Sequence, residues 1–176
     1  MKHLSERGML SERDSPLTQF AYLELFYRLD PRFTSIAQLP IVNCEESVME
    51  HLKSYIQSSN ISLDCQEKFI VMFLNNRHRL LAIRTIGIGL SHATLVDLKY
   101  IVKLALDSGA LHIIAIHNHP SCFLEPSKED FKITKAIQEA LRWFDITLVD
   151  HIIVSSDLQS SHSMANKGQL GSIPEI

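Results

Sequence analysis

Long apolar runs, paired cysteines and an excess of positive charge are all missing from this chain. It has no run of about 18 apolar residues, and Met1–Arg7 lacks a signal-peptide core, so we expect a cytoplasmic protein without a membrane span. The three cysteines form no Cys-x-x-Cys pair, which indicates a reducing compartment. A net charge of −3 argues against a dominant phosphate-binding surface, although a local basic patch is compatible with it.

The chain is long enough for one domain with a sizeable core and a small extension. It has 176 residues, of which 45% are hydrophobic and 21% charged, as in ordinary globular proteins. We assign residues 1–40 to an N-terminal helical extension, with an apolar-rich helix over 17–29. Residues 41–176 form the main domain. We find no internal repeat and no low-complexity segment.

Hydrophobic periodicity predicts an α/β fold, in which a mixed sheet is flanked by helices. The predicted elements are, in chain order, a helix that follows Asn43-Cys44, strands over 68–75 and 79–86 joined by a hairpin, a helix over 94–108, a strand over 111–117, a helix over 128–144, a strand over 146–154 and a short strand near Ser163.

Two of the predicted helices carry clear boundary signals and apolar stripes. Thr94 is expected to cap the first of them and Gly109 to end it. The residues expected to face the core are Val96, Tyr100, Leu104 and Ala105 in the first helix, and Phe131, Ile137, Leu141 and Phe144 in the second.

The most informative segment is His117-Asn118-His119, at the end of a β-branched apolar run. Residues i and i+2 of a strand share a face, with Cα atoms roughly 6.6 Å apart, so both imidazoles can approach one ion. Pro126-Ser127 then opens a helix, whose first turn contains Asp130. Two imidazoles and one carboxylate predict a three-ligand metal site. Such a site leaves a fourth position open for water, as in catalytic zinc centres.

Simpler interpretations exist for each of these residues. Ser127 and Asp130 resemble a helix capping box, and we expect Ser127 to cap the helix whatever else it does. A single histidine is more often structural than a ligand. A His-x-His pair at a strand end, followed by a correctly placed carboxylate, is much less common and favours the metal site.

The spacing His-x-His, seven residues, Ser, two residues, Asp resembles the JAMM motif of MPN/JAB-type metallopeptidases. The string His117–Ser121, together with Pro126-Ser127 and Asp130, looks like the RadC-type branch of that family. Leu148–Val154 and Ser163–Gly168 resemble two later motifs of the same branch, and the likeness runs from about Glu67 to Leu170. It implies a cytidine-deaminase-like, three-layer fold.

The resemblance also implies a zinc-dependent hydrolase acting on a peptide or isopeptide bond of a protein substrate. His117, His119 and Asp130 would hold the ion. Glu67, at the start of an aromatic and hydrophobic strand, would be the general base. Ser127 would hydrogen-bond the oxyanion of the tetrahedral intermediate.

Two other functions compete with this interpretation. One is a nucleic-acid-associated role in DNA repair or in mobile elements. The acidic isoelectric point weakens it, and residues 1–40 are too short for the helix-hairpin-helix module of longer RadC-type proteins. The other is a metal-binding scaffold without turnover, which would not need Glu67 and Ser127. The oligomeric state stays open.

Cys122 is the main departure from the family pattern, which has glycine there. Glycine commonly permits a positive φ or a close substrate approach. A thiolate three residues after His119 could also become an additional zinc ligand, but we favour a free, partly buried thiol. Asp150 and His151 lie in a later strand on opposite faces, so only one of them can point at the site.

Overall fold

A five-stranded mixed sheet forms the centre of the described part of the chain. The structure is a computed structural model that describes residues 35–89 and 96–171. The helix expected over residues 17–29 lies outside these ranges. Every helix within them is too short or too polar for a bilayer span.

The sheet has the strand order β2-β1-β3-β4-β5. Strands β3 and β4 pair in parallel and all other neighbours pair antiparallel, which confirms the predicted mixed sheet. The strands are β1 (Lys68–Leu74), β2 (Leu80–Ile88), β3 (His112–His119), β4 (Thr147–Ser155) and β5 (Ser161–Ser163). The helices are α1 (Glu45–Ser58), α2 (Leu98–Ser108) and α3 (Lys128–Arg142), with a short 3-10 helix at Ile36–Gln38.

The central strands bury both of their faces, which explains their continuous apolar sequences. In β1, Ile70 and Met72 pack in a core with Leu52 of α1. Val71 and Phe73 point the opposite way, into a second core that includes residues of α2 and α3. The fold is therefore a three-layer α/β arrangement, as expected.

Helix α3 makes the crossover between the parallel strands β3 and β4. Parallel neighbours cannot be joined by a tight turn, so the chain must leave the end of β3 and return along one face of the sheet. This connection brings the N-terminal turn of α3 close to the end of β3, where the two histidines lie.

The start predicted for α2 is wrong. Thr94 lies outside the described residues, and the helix begins at Leu98 with Asp97 as its N-cap. The Asp97 carboxylate accepts hydrogen bonds from the backbone N–H groups of Lys99 and Tyr100, which explains the later start. Gly109, with φ +65°, ends the helix as expected.

The predicted helix stripes are only partly correct. Tyr100, Phe131 and Phe144 are 40%, 41% and 45% exposed, and Ile101 and Thr134 are buried instead. The faces of α2 and α3 that pack against the sheet are therefore not the faces that carry the largest apolar residues. A polar residue, Thr134, consequently occupies a core position of α3.

Asp150 fastens the C-terminal segment to the sheet. It is buried, and its Oδ1 accepts from the backbone N–H groups of His151 (2.7 Å) and Ala165 (2.9 Å). Its Oδ2 accepts from the hydroxyl of Ser163 (2.5 Å). A buried carboxylate is tolerated here because three donors replace its hydration.

We expect Asp150→Ala to lower the free energy of unfolding by about 3 kcal/mol, because it leaves buried donors without their acceptor. Urea unfolding measures the change. Asp157→Ala is the matched control, since Asp157 is exposed and accepts from Ser155 and Gln159. It should cost about 1 kcal/mol or less. Equal losses in the two variants would contradict the fastening role of Asp150.

Candidate metal centre

Three potential metal ligands converge where β3 meets α3. One ligand atom from each of His117, His119 and Asp130 lies within 4.8 Å of the others. The two histidine Nε2 atoms are 2.9 Å apart. Asp130 Oδ1 is 3.0 Å from Nε2 of His117, and Oδ2 is 3.5 Å from Nε2 of His119. The structure thus brings together the three residues that the sequence predicted as ligands.

The capping box of α3 sets the position of Asp130. Ser127 Oγ accepts from the backbone N–H of Asp130 (3.1 Å), and Asp130 Oδ2 accepts from the backbone N–H of Ser127 (2.7 Å). The sequence offered a capping box and a ligand as two interpretations of Asp130, and its carboxylate makes both sets of contacts. Oδ2 takes part in the box, while Oδ1 faces the Nε2 atom of His117.

Contacts behind the rings hold both imidazoles in place. His119 Nδ1 lies 2.5 Å from the backbone oxygen of Phe123, in the loop after β3. His117 Nδ1 lies 2.9 Å from Nε2 of His151 on β4. Because a carbonyl oxygen only accepts, His119 donates its Nδ1–H there, and Nε2 is the nitrogen that faces the site.

Electrostatics keep the carboxylate ionised. The hydrogen bond to Asp130 raises the pKa of His119 above its ordinary value, against the opposing effect of burial. Burial alone would raise the pKa of Asp130. Hydrogen bonds from the two imidazoles and from Ser127 outweigh it and hold that pKa well below its usual range. The site therefore presents an anion beside two imidazoles, which favours a cation between them.

The donor set fits a zinc ion. Bonds of about 2.0–2.1 Å to nitrogen and oxygen, in tetrahedral geometry, imply ligand atoms about 3.3 Å apart. The Nε2–Nε2 separation is 2.9 Å, and the separations from Nε2 to the Asp130 carboxylate are 3.0 Å (to Oδ1) and 3.5 Å (to Oδ2), all close to that value. Two imidazoles and one carboxylate are also typical ligands of catalytic zinc.

Glu67 and Ser127 line the same cavity as the three ligands, which has a volume of about 610 Å³. Glu67 immediately precedes β1, whose Phe69 pairs with His117 of β3. The two residues expected to act on the substrate are therefore placed beside the ligands.

Asn118 is a contributor that the sequence analysis missed. It lies between the two histidines and points to the opposite face of β3. Its side chain accepts from the backbone N–H of Lys68 (2.7 Å) and donates to the backbone oxygen of Gln66 (3.0 Å). These hydrogen bonds hold the backbone in place on both sides of Glu67. The available signal was the position of this amide between the two histidines, directly after an apolar run.

Cys122 has the backbone conformation that favours glycine. Its φ is +57°, in the left-handed region, and the Cys122 N–H donates to the backbone oxygen of His119 in a tight turn. The side chain is exposed, so the expectation of a partly buried thiol is wrong. Cys122 is not part of the three-residue ligand cluster.

The fold and the site together define a JAB-type domain, and the comparisons with known proteins agree. The family model of the RadC-like JAB domain matches residues 42–169. The chain belongs to this family.

Several bacterial relatives share the domain. A UPF0758 protein of Haemophilus influenzae Rd is 34% identical over 151 residues, which cover 85% of this chain and 66% of that protein. UPF0758 proteins of a Marinomonas species and of Photobacterium profundum are 38% and 40% identical, over 68% and 60% of this chain. The chain spans 52% and 46% of their lengths, so it matches only part of each relative.

We expect the purified protein to bind about one zinc ion per chain, measured by elemental analysis after dialysis. His117→Ala and Asp130→Ala should each lose most of the metal. Asp130→Asn keeps an oxygen for the capping box but not the anionic ligand, so its loss of zinc would exclude a mere capping effect. His51→Ala, on α1, should retain zinc. Full occupancy in the His117 and Asp130 variants would disprove the ligand assignment.

Cys122→Gly should leave the zinc content unchanged and raise the free energy of unfolding by about 0.5–1 kcal/mol, because glycine adopts the positive φ without strain. Cys65→Gly is the matched control: Cys65 is also exposed but has no positive φ, and this change should destabilise. A sulfur ligand at about 2.3 Å in X-ray absorption, lost in Cys122→Gly, would show instead that the thiolate binds zinc.

Proposed function

We propose that this protein is a zinc-dependent hydrolase of the JAMM type that cleaves a peptide or isopeptide bond. One observation carries the proposal. The ligand atoms of His117, His119 and Asp130 converge within 4.8 Å on the wall of a cavity that Glu67 and Ser127 also line. The three ligands, a general base and a hydrogen-bond donor are the groups that metal-assisted amide hydrolysis requires.

Zinc, when bound, supplies a Lewis acid and makes water a nucleophile near neutral pH. The carboxylate of Glu67 would accept the proton of the attacking water and then deliver it to the departing amine. Glu67 can do this because it lies on the wall of the cavity and is not a member of the ligand cluster.

Ser127 can serve the reaction while it caps α3. Its Oγ uses a lone pair to accept from the backbone N–H of Asp130, which leaves its O–H free to donate. That hydroxyl would stabilise the negative charge that develops on the substrate carbonyl oxygen. The helix holds the donor in position before substrate arrives, so little reorganisation is needed.

The cavity suits a polypeptide substrate better than a nucleic acid. Of the described residues that line it, Glu67, Glu129 and Asp130 are acidic and Lys132 alone is a basic Lys or Arg. Such a lining would repel phosphate groups. Phe69, Val96 and Ile133 add apolar walls against which a substrate side chain can pack. These features favour the hydrolase over the nucleic-acid-associated role.

Glu67→Gln should retain zinc and lose at least about a hundredfold in hydrolysis rate, because it removes the proton acceptor and spares the ligands. The assay uses a fluorogenic peptide library and a lysine-linked isopeptide probe, with zinc content measured on the same samples. Glu129→Gln is the matched control, as Glu129 lines the same cavity but is exposed at its rim. It should keep both zinc and activity.

Two results would count against this proposal. If Glu67→Gln hydrolyses the probe as fast as the parent, the general base is another group. If the zinc-loaded parent cleaves neither the peptides nor the isopeptide, the domain is better described as a metal-binding scaffold.

A further inference from the structure

A series of three hydrogen bonds, two of them buried, runs behind the candidate ligand His117. His117 Nδ1 is 2.9 Å from His151 Nε2, and His151 Nδ1 is 2.6 Å from Thr134 Oγ1. Thr134 Oγ1 is in turn 2.6 Å from the backbone oxygen of Asp130. The three residues whose side chains form these hydrogen bonds are almost fully inaccessible to solvent: His117 is 3% exposed, Thr134 2% and His151 0%.

The donor and acceptor of each hydrogen bond can be assigned by starting from the backbone oxygen of Asp130, where the series ends. The backbone oxygen of Asp130 can only accept, so the hydroxyl of Thr134 donates to it and its Oγ1 accepts from His151. The sulfur of Met164, 3.7 Å from the same hydroxyl, is also only an acceptor there and would leave the result unchanged.

His151 must then carry its proton on Nδ1. An imidazole tautomer with its N–H on Nδ1 has its lone pair on Nε2. The lone pair of His151 therefore lies on Nε2, where it accepts from Nδ1–H of His117. Because His151 holds the Nδ1–H of His117, the nitrogen of His117 that is left to bind an ion is Nε2, the atom that faces Asp130 and His119.

We propose that Thr134 and His151 are positioning residues of the metal centre, which select the His117 tautomer that can bind the ion. The inference rests on the zinc site of the proposed function but not on hydrolysis. The hydrogen-bond chain begins at one ligand, on β3, and ends on the backbone of another, Asp130 on α3. It thereby ties together the two elements whose separation sets the geometry of the site.

Other contacts show why these residues can act only through His117. The ring of Phe69 stacks over His117 at 6.1 Å between centroids and meets His151 edge-on at 5.5 Å. Thr134 and His151 do not line the cavity that holds the ligands and Glu67. Neither residue can therefore touch the substrate, and their role is to orient the ligand.

The test compares substitutions that keep or remove each hydrogen bond. Thr134→Ser retains the hydroxyl, whereas Thr134→Val has nearly the same shape and lacks it. His151→Gln retains an acceptor for His117, whereas His151→Leu does not. Zinc affinity is measured by competition with a chromophoric chelator, and thermal unfolding of the zinc-free proteins reports folding separately.

We expect Thr134→Val and His151→Leu to bind zinc about tenfold to a hundredfold more weakly than the parent. Thr134→Ser and His151→Gln should recover most of that loss. Affinities of Thr134→Val and His151→Leu within twofold of the parent would overturn the proposal. It would also be overturned if Thr134→Ser lost as much affinity as Thr134→Val, because packing would then explain the effect.

Nitrogen-15 NMR of the histidine side chains keeps the inference testable if a variant does not fold. In the parent, with and without zinc, His117 should carry a proton on Nδ1, and His151 should carry one on Nδ1 and none on Nε2. The opposite tautomer of His151 would disprove the inference. A parent that shows these tautomers but binds no zinc would refute the proposed function and leave the hydrogen-bond chain established.

Discussion

The alternation of side chains at the end of β3 is the constraint on which the rest of the site depends. His117 and His119 share one face of the strand, while Asn118 points to the other. The histidines are thereby placed opposite Asp130. The Asn118 side chain hydrogen-bonds to the backbone of Gln66 and Lys68, the residues on either side of Glu67. A single tripeptide of a central strand thus supplies two candidate ligands and positions the segment that carries the candidate base.

The crossover helix α3 supplies the third candidate ligand, Asp130, to the two histidines at the end of β3. Because β3 and β4 are parallel, the chain must pass over the sheet, and α3 begins at Lys128, nine positions after His119. Its capping box orients Asp130, and its inward face delivers Thr134 to His151 on β4. Helix start, ligand placement and ring orientation are therefore consequences of one connection. One connection therefore accounts for how the three candidate ligands are held together.

Sequence patterns anticipated those parts of the fold that depend on local chemistry. The apolar run before His117 predicted β3, Gly109 predicted the end of α2, and Ser127 predicted the cap of α3. The errors arose where packing decided between similar local options. Asp97 caps α2, and the faces drawn through Tyr100, Phe131 and Phe144 are partly exposed. Apolar residue size is a poor guide to helix rotation when a polar residue such as Thr134 has a buried partner.

By itself the sequence determined which residues could bind a metal, because residue type and spacing of two and three positions are local properties. The resemblance to the family marked Cys122 as standing where glycine is usual, and the structure then gave it a positive φ. Only the tertiary structure decided that His151, rather than Asp150, lies behind His117, and that Asn118 holds the segment around Glu67. These contacts join residues 34 and 50 positions apart. They depend on the register of β3 against its neighbours and on the rotation of α3, which no local pattern encodes.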